Sequence, residues 1–98
     1  MKFTKTPGVY VIVNNATDKV FVKASLNVVK SVDKDLNQLR NGEFENEYVQ
    51  DDWKEYGENA FNVYQVAQCG IGKLEYELGY YTAKFDADCF ENGYNGDM

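Results

Sequence analysis

Two apolar, β-branched runs separated by a cluster of turn formers constrain this chain more than any other feature. Residues 8–14 read GVYVIVN and residues 19–24 read KVFVKA. Between them lies Asn14-Asn15-Ala16-Thr17-Asp18. β-branched and aromatic residues favour extended backbone, and Asn and Asp favour tight turns. The reading is a β-hairpin whose first strand is buried, since its apolar run is nearly continuous. Pro7 stands just before the first strand, where its missing N–H removes no ladder bond.

The pattern then changes period. Val28, Val29, Val32, Leu36 and Leu39 fall on one face of a helix that Ser25 or Asn27 can cap and that Asn41-Gly42 ends. Asn46 can cap a second helix, with Val49, Trp53 and Tyr56 on its inner face and Gly57 as its stop. Residues 60–67, AFNVYQVA, alternate Phe61, Val63 and Gln65 against Asn62, Tyr64 and Val66 and predict a third strand. Gly70 and Gly72 break the chain, and Leu74, Leu78, Tyr81 and Phe85 mark a third helix. The polar, glycine-rich tail from about residue 91 is expected to fray. The predicted order is ββααβα. It implies an α+β (α/β sandwich) fold with a small three-stranded antiparallel sheet flanked by helices. At 98 residues the chain makes one domain, 1–98.

Composition closes off several functions. The chain has no histidine, so histidine catalysis is excluded. Cys69 and Cys89 form no CxxC element, which argues against a structural zinc site. No apolar run approaches the roughly 20 residues that span a bilayer. Residues 1–5 lack the apolar core of a signal peptide. A cytoplasmic protein with reduced thiols and no membrane attachment is expected.

The formal charge is −6. Nucleic-acid affinity comes mostly from Lys and Arg that neutralise phosphates, so an acidic domain is poorly suited to it. The acidity is concentrated: Glu43, Glu45, Glu47, Asp51, Asp52, Glu55 and Glu58 face one cation, Lys54, over that span. Such a run is either a solvated helix face or a surface for a basic partner. With eight tyrosines and six phenylalanines in so short a chain, some aromatics are expected on the surface, where tyrosine favours protein contacts.

Three stretches carry a resemblance to a known family. Gly8-Val9-Tyr10, with Ile12 and Asn14, is close to the signature GIYxIxN. Asn46, Gln50, Trp53, Tyr56, Gly57 and Phe61 match the pattern NxxLQxxWxxYGxxxF in register. Gly93-Tyr94-Asn95 matches a terminal GYN, and Leu74, Glu77 and Tyr80 resemble a helix bearing a catalytic glutamate. These are motifs of the GIY-YIG nuclease domain, in its homing-endonuclease-like form found in phages and mobile introns.

In active members of that family two tyrosines, an arginine and a glutamate meet the scissile phosphate, with one divalent cation, usually Mg²⁺, on the glutamate. The resemblance therefore casts Tyr10 and Glu77 as catalytic residues, Glu77 as the metal ligand, and Asn95 as a retained site residue. The rest departs from the pattern. Phe21 stands for the second tyrosine, Lys23 for the glycine of YIG, and Ser31 for the arginine. A planar guanidinium steadies charge in the transition state, and loss of one such partner costs about 10²–10³ in rate. Lys30 is adjacent to Ser31, but one helical step turns it by about 100°.

Two readings follow. In the first, a catalytically degenerate GIY-YIG-like protein has no cofactor and works by binding a protein with a basic surface, as an inhibitor of a host nucleic-acid-processing or defence enzyme. Its contact residues would be Glu43, Glu45, Glu47, Asp51, Asp52 and Glu55. In the second, a Mg²⁺-dependent DNA endonuclease uses Tyr10, Glu77 and Asn95, with Lys23 or Lys30 replacing the arginine.

Overall fold

Hydrogen bonds from Asn14 close the first turn of the chain. Its side-chain Oδ1 accepts from the Ala16 N–H at 3.0 Å, and its carbonyl accepts from Asp18 N–H at 2.7 Å. Asp18 sits in the left-handed region at φ 63°, which Asp tolerates in a turn. This turn joins β1 (Gly8–Asn14) to β2 (Lys19–Ser25), paired antiparallel from Gly8 opposite Ser25 to Asn14 opposite Lys19. The computed structural model describes residues 3–89 and 91–96.

Helix α1 (Val28–Asn41) begins at Asn27, whose Oδ1 accepts from Lys30 N–H, and ends at Gly42 in the left-handed region. Of the two candidate caps, Ser25 is otherwise engaged: its hydroxyl donates to Asn27 C=O at 2.9 Å and bonds the Ser31 hydroxyl. Helix α2 (Glu47–Tyr56) begins at Asn46, which accepts from both Tyr48 and Val49 N–H. A cap of this kind contributes about 1 kcal/mol. Strand β3 (Phe61–Gln68) follows a short 3₁₀ turn at Glu58–Ala60, and α3 (Leu74–Lys84) follows a second at Ile71–Lys73.

The sheet has the order β2-β1-β3, all antiparallel. It separates two cores, because strand side chains alternate faces. On one face Tyr10, Ile12 and Phe21 pack against Val28, Val32 and Leu39 of α1 and Val49 and Trp53 of α2. On the other Val9, Val11, Val20 and Val22 pack beneath Leu78, Tyr81 and Phe85. This is the predicted ββααβα α+β fold, with helices on both sides of the sheet.

Gly8 is required by a close approach. A Cβ there would lie 2.4 Å from the Ala67 carbonyl oxygen. The structure departs from expectation in three places. Tyr56 is exposed, and Gln50 takes an inner position of α2 instead. Gln50 accepts from Phe44 N–H at 2.8 Å and donates to Leu39 C=O at 3.0 Å, so a polar side chain is buried there to satisfy the loop backbone. The alternation of β3 breaks at Val66, where a bulge shifts the register against Val9 and Tyr10. Finally, the described part of the tail does not fray. Tyr94 is buried, Gly93 bridges to Val20, and Asn95 bonds both the N–H and the C=O of Val22.

Candidate functional site

Tyr10 and Lys23 are cross-strand neighbours, in register on β1 and β2, on the face that α1 covers. Two turns of α1 supply the rest of the site. Ser31 and Asp35 are four residues apart, so both point at the same strip of the sheet. The Tyr10 hydroxyl donates to Asp35 Oδ2. The Lys23 ammonium donates to Asp35 Oδ1 at 3.0 Å and Oδ2 at 3.1 Å. It also meets Glu45 at 3.3 Å, from the loop before α2.

The ammonium is enclosed. Its Nζ lies 5.4 Å from the Phe44 ring centre and 5.9 Å from that of Phe21, and the two rings meet edge to face. Carboxylate oxygens and ring faces therefore occupy the directions in which it could donate. One cation against two carboxylates leaves the cluster formally at −1. Asp35 is only 2% exposed. Burial raises the ionisation of Tyr10 far above its usual range, and the hydrogen bond and charge of Asp35 raise it further. Contact from the Ser31 hydroxyl partly offsets that rise. Tyr10 is thus a buried, protonated donor at neutral pH, not a base.

The sequence-predicted residues are distributed unevenly around this cluster. Ser31, Phe21, Lys23 and Tyr10 come together. Glu77 does not: it is half-buried on α3, which packs on the opposite face of the sheet, and no hydrogen bond or ion pair joins it to Tyr10. Asn95 is held on the β2 backbone by its two bonds to Val22. Lys30 is exposed and turned away, as its helical position implies. Arg40 forms a two-pronged pair with Glu58, at 3.1 and 2.7 Å.

The acidic stretch also divides. Glu45 is committed to Lys23, and Asp52 accepts from the Tyr94 hydroxyl at 2.7 Å. Glu43, Glu47, Asp51 and Glu55 are exposed and pair with no cation among the described residues. Three of these stand at successive i,i+4 positions on α2. Tyr48 and Tyr56, each 42% exposed, lie on the same helix.

Asp35 is the residue that sequence reasoning missed. The signal was present: Val28, Val32, Asp35 and Leu39 form the buried stripe of α1, and only one of them is charged. A carboxylate on an apolar stripe needs a buried partner.

Comparison with solved structures places this geometry. The chain superposes on the catalytic domain of the homing endonuclease I-TevI with a TM-score of 0.80, covering 91% of this chain and 96% of that one at 19% identity. The fold is that of a GIY-YIG domain. A mutant of the same intron endonuclease domain superposes at TM-score 0.79 and 20% identity, covering 91% of each chain. No protein-family model matches the sequence, and no curated protein matches it significantly.

A divalent cation does not suit the residues around Tyr10 in this GIY-YIG fold. Both oxygens of Asp35 are taken by Lys23 and the Tyr10 hydroxyl, and the ammonium would repel the ion. Among the described residues no three acidic or thiol side chains converge as a metal-binding group.

Proposed function

We propose that this protein is a catalytically degenerate GIY-YIG-fold protein that acts by binding another protein. The observation that carries this reading is the Lys23–Asp35 pair. The cation nearest Tyr10 is already neutralised, by a buried carboxylate and by Glu45. A phosphodiester brought to about 5 Å of a net −1 cluster meets roughly 3 kcal/mol of repulsion at an effective dielectric near 20. The site repels the group that a nuclease must hold.

What remains available is the outer face of α2. Glu47, Asp51 and Glu55 present carboxylates along it, with Glu43 before it and exposed Tyr48 and Tyr56 on the same helix. Like charges four residues apart weaken a helix. A stripe that works against its own helix is better explained by an external partner than by solubility. The partner favoured by this chemistry is a basic surface, such as the phosphate-binding groove of a nucleic-acid-processing or defence enzyme, where carboxylates occupy phosphate positions. The likeness to an intron endonuclease domain fits an origin in a phage or mobile element, and an inhibitor suits that setting.

The test is affinity capture with the purified protein and with a Glu47→Lys/Asp51→Lys/Glu55→Lys variant. The reading requires a reproducible basic partner for the native protein that the variant loses. Absence of any partner, or capture unchanged by charge reversal, refutes it. The second reading, a rearranged Mg²⁺-dependent endonuclease, is supported by one feature: the Lys23 ammonium does stand beside Tyr10. It requires Asp35 to release that ammonium to substrate.

A further inference from the structure

The two edges of the sheet are treated differently. The β2 edge is closed by the chain itself. Tyr94 N–H donates to Val20 C=O at 3.0 Å, Val20 N–H donates to Asn92 C=O at 3.2 Å, and Asn95 occupies both backbone groups of Val22. The β3 edge has no strand beside it among the described residues. Asn15 N–H bonds Ala60 C=O, which sets the phase of the ladder. Asn62 and Tyr64 then turn their backbone groups to β1, and Val63 and Gln65 turn theirs outward.

Natural proteins guard such edges with charge, proline or distortion. Here the guard is thin. Residues 59–72 contain no charged residue and no proline, in a chain where 27% of residues are charged. The only irregularity is the bulge at Val66, which leaves Phe61–Gln65 regular. The surroundings are also incomplete. Tyr64 is 52% exposed on the α3 side of β3. On the other side an apolar groove of about 140 Å³ adjoins the strand, lined by Phe3, Val32, Leu36, Trp53, Phe61 and Val63.

We propose that β3 pairs antiparallel with β3 of a second copy of this chain, making one continuous six-stranded sheet. Charge selects the occupant. Two copies at −6 each repel, so they can associate only through an uncharged strip, and β3 lies within the longest one. Antiparallel identical strands are also complementary in their backbone groups. A two-fold axis at Val63 sets Phe61 opposite Gln65 and Asn62 opposite Tyr64, with no charged pair anywhere along the seam. The shared strip is short of the roughly 1,200–2,000 Å² of a standard stable interface, so a weak, concentration-dependent dimer is expected.

Sedimentation of the intact protein from micromolar to submillimolar concentration tests this. The expected result is a rise towards twice the monomer mass, with Val63 and Gln65 amides exchanging more slowly as concentration rises. Asn62→Lys/Tyr64→Lys sets lysines opposite one another across the axis and should weaken association at least tenfold. Both positions are exposed, so the far-ultraviolet dichroism should be unchanged. Monomer mass at every concentration overturns the proposal. So does a dimer that the lysines leave intact, with Val63 exchange independent of concentration.

Discussion

Replacing Lys23 by methionine keeps the side chain's length and removes its charge. Asp35, almost fully buried, would then hold its negative charge with only the Tyr10 hydroxyl as partner. Breaking a buried ion pair from one side costs about 3–5 kcal/mol. Lys23 keeps some exposure, with 18% of its side chain accessible, which places the expected loss near the lower end, about 3 kcal/mol. Asp35→Asn should cost less, about 1–2 kcal/mol. Its amide oxygen still accepts from Tyr10, and the freed ammonium keeps Glu45. The double variant should cost clearly less than the sum, with a coupling of about 1–3 kcal/mol. Urea unfolding followed by the fluorescence of Trp53, the single and buried tryptophan, reads all four forms. A Lys23→Met loss below about 0.5 kcal/mol, or additive singles, would show that the ammonium is not held by Asp35 and is free for another anion.

Further outcomes concern the rest of the molecule. Tyr10 and Tyr94 are both raised, chiefly by burial and then by Asp35 and Asp52 respectively. A raised ionisation stabilises the fold below the unfolded tyrosine value near 10 and loses that contribution above it, about 1.4 kcal/mol per tyrosine per pH unit. Stability should therefore fall steeply above pH ~10, and tyrosinate absorbance should show two groups that ionise only with unfolding. A flat stability profile through that range contradicts the burial argument. Gly93→Ala should destabilise the protein strongly, since a Cβ there would lie 2.3 Å from Ala87 Cα; an unchanged melting temperature contradicts the packing described. Asp51→Lys should stabilise α2 by up to about 1 kcal/mol while weakening partner capture, because it turns two i,i+4 repulsions into attractions. A variant that is no more stable removes the helix argument for an outward-facing function.

The hairpin, the helix caps and the third strand were legible because each is dictated locally. Asn14 to Asp18 define the turn, Asn27 and Asn46 the helix starts, and Gly42 a left-handed stop. What sequence could not show was long-range. The partner of Lys23 lies 12 residues away on another element, and nothing local names it. Asp35 was hidden by its own position, because an apolar stripe reads as apolar even where one member is charged. The tail looked polar and loose, yet Tyr94 finds Asp52 and Asn14, residues 42 and 80 positions away. The separation of Glu77 from Tyr10 is likewise a consequence of topology: α3 returns over the face of the sheet opposite Tyr10.

The central claim is that the cation beside Tyr10 is spent inside the protein and none is left for a phosphate. Incubating the purified protein with supercoiled plasmid and Mg²⁺ tests it most directly. No nicking should appear above a buffer control, and Glu77→Ala should change nothing. Metal-dependent nicking that Lys23→Met or Glu77→Ala abolishes would contradict the account.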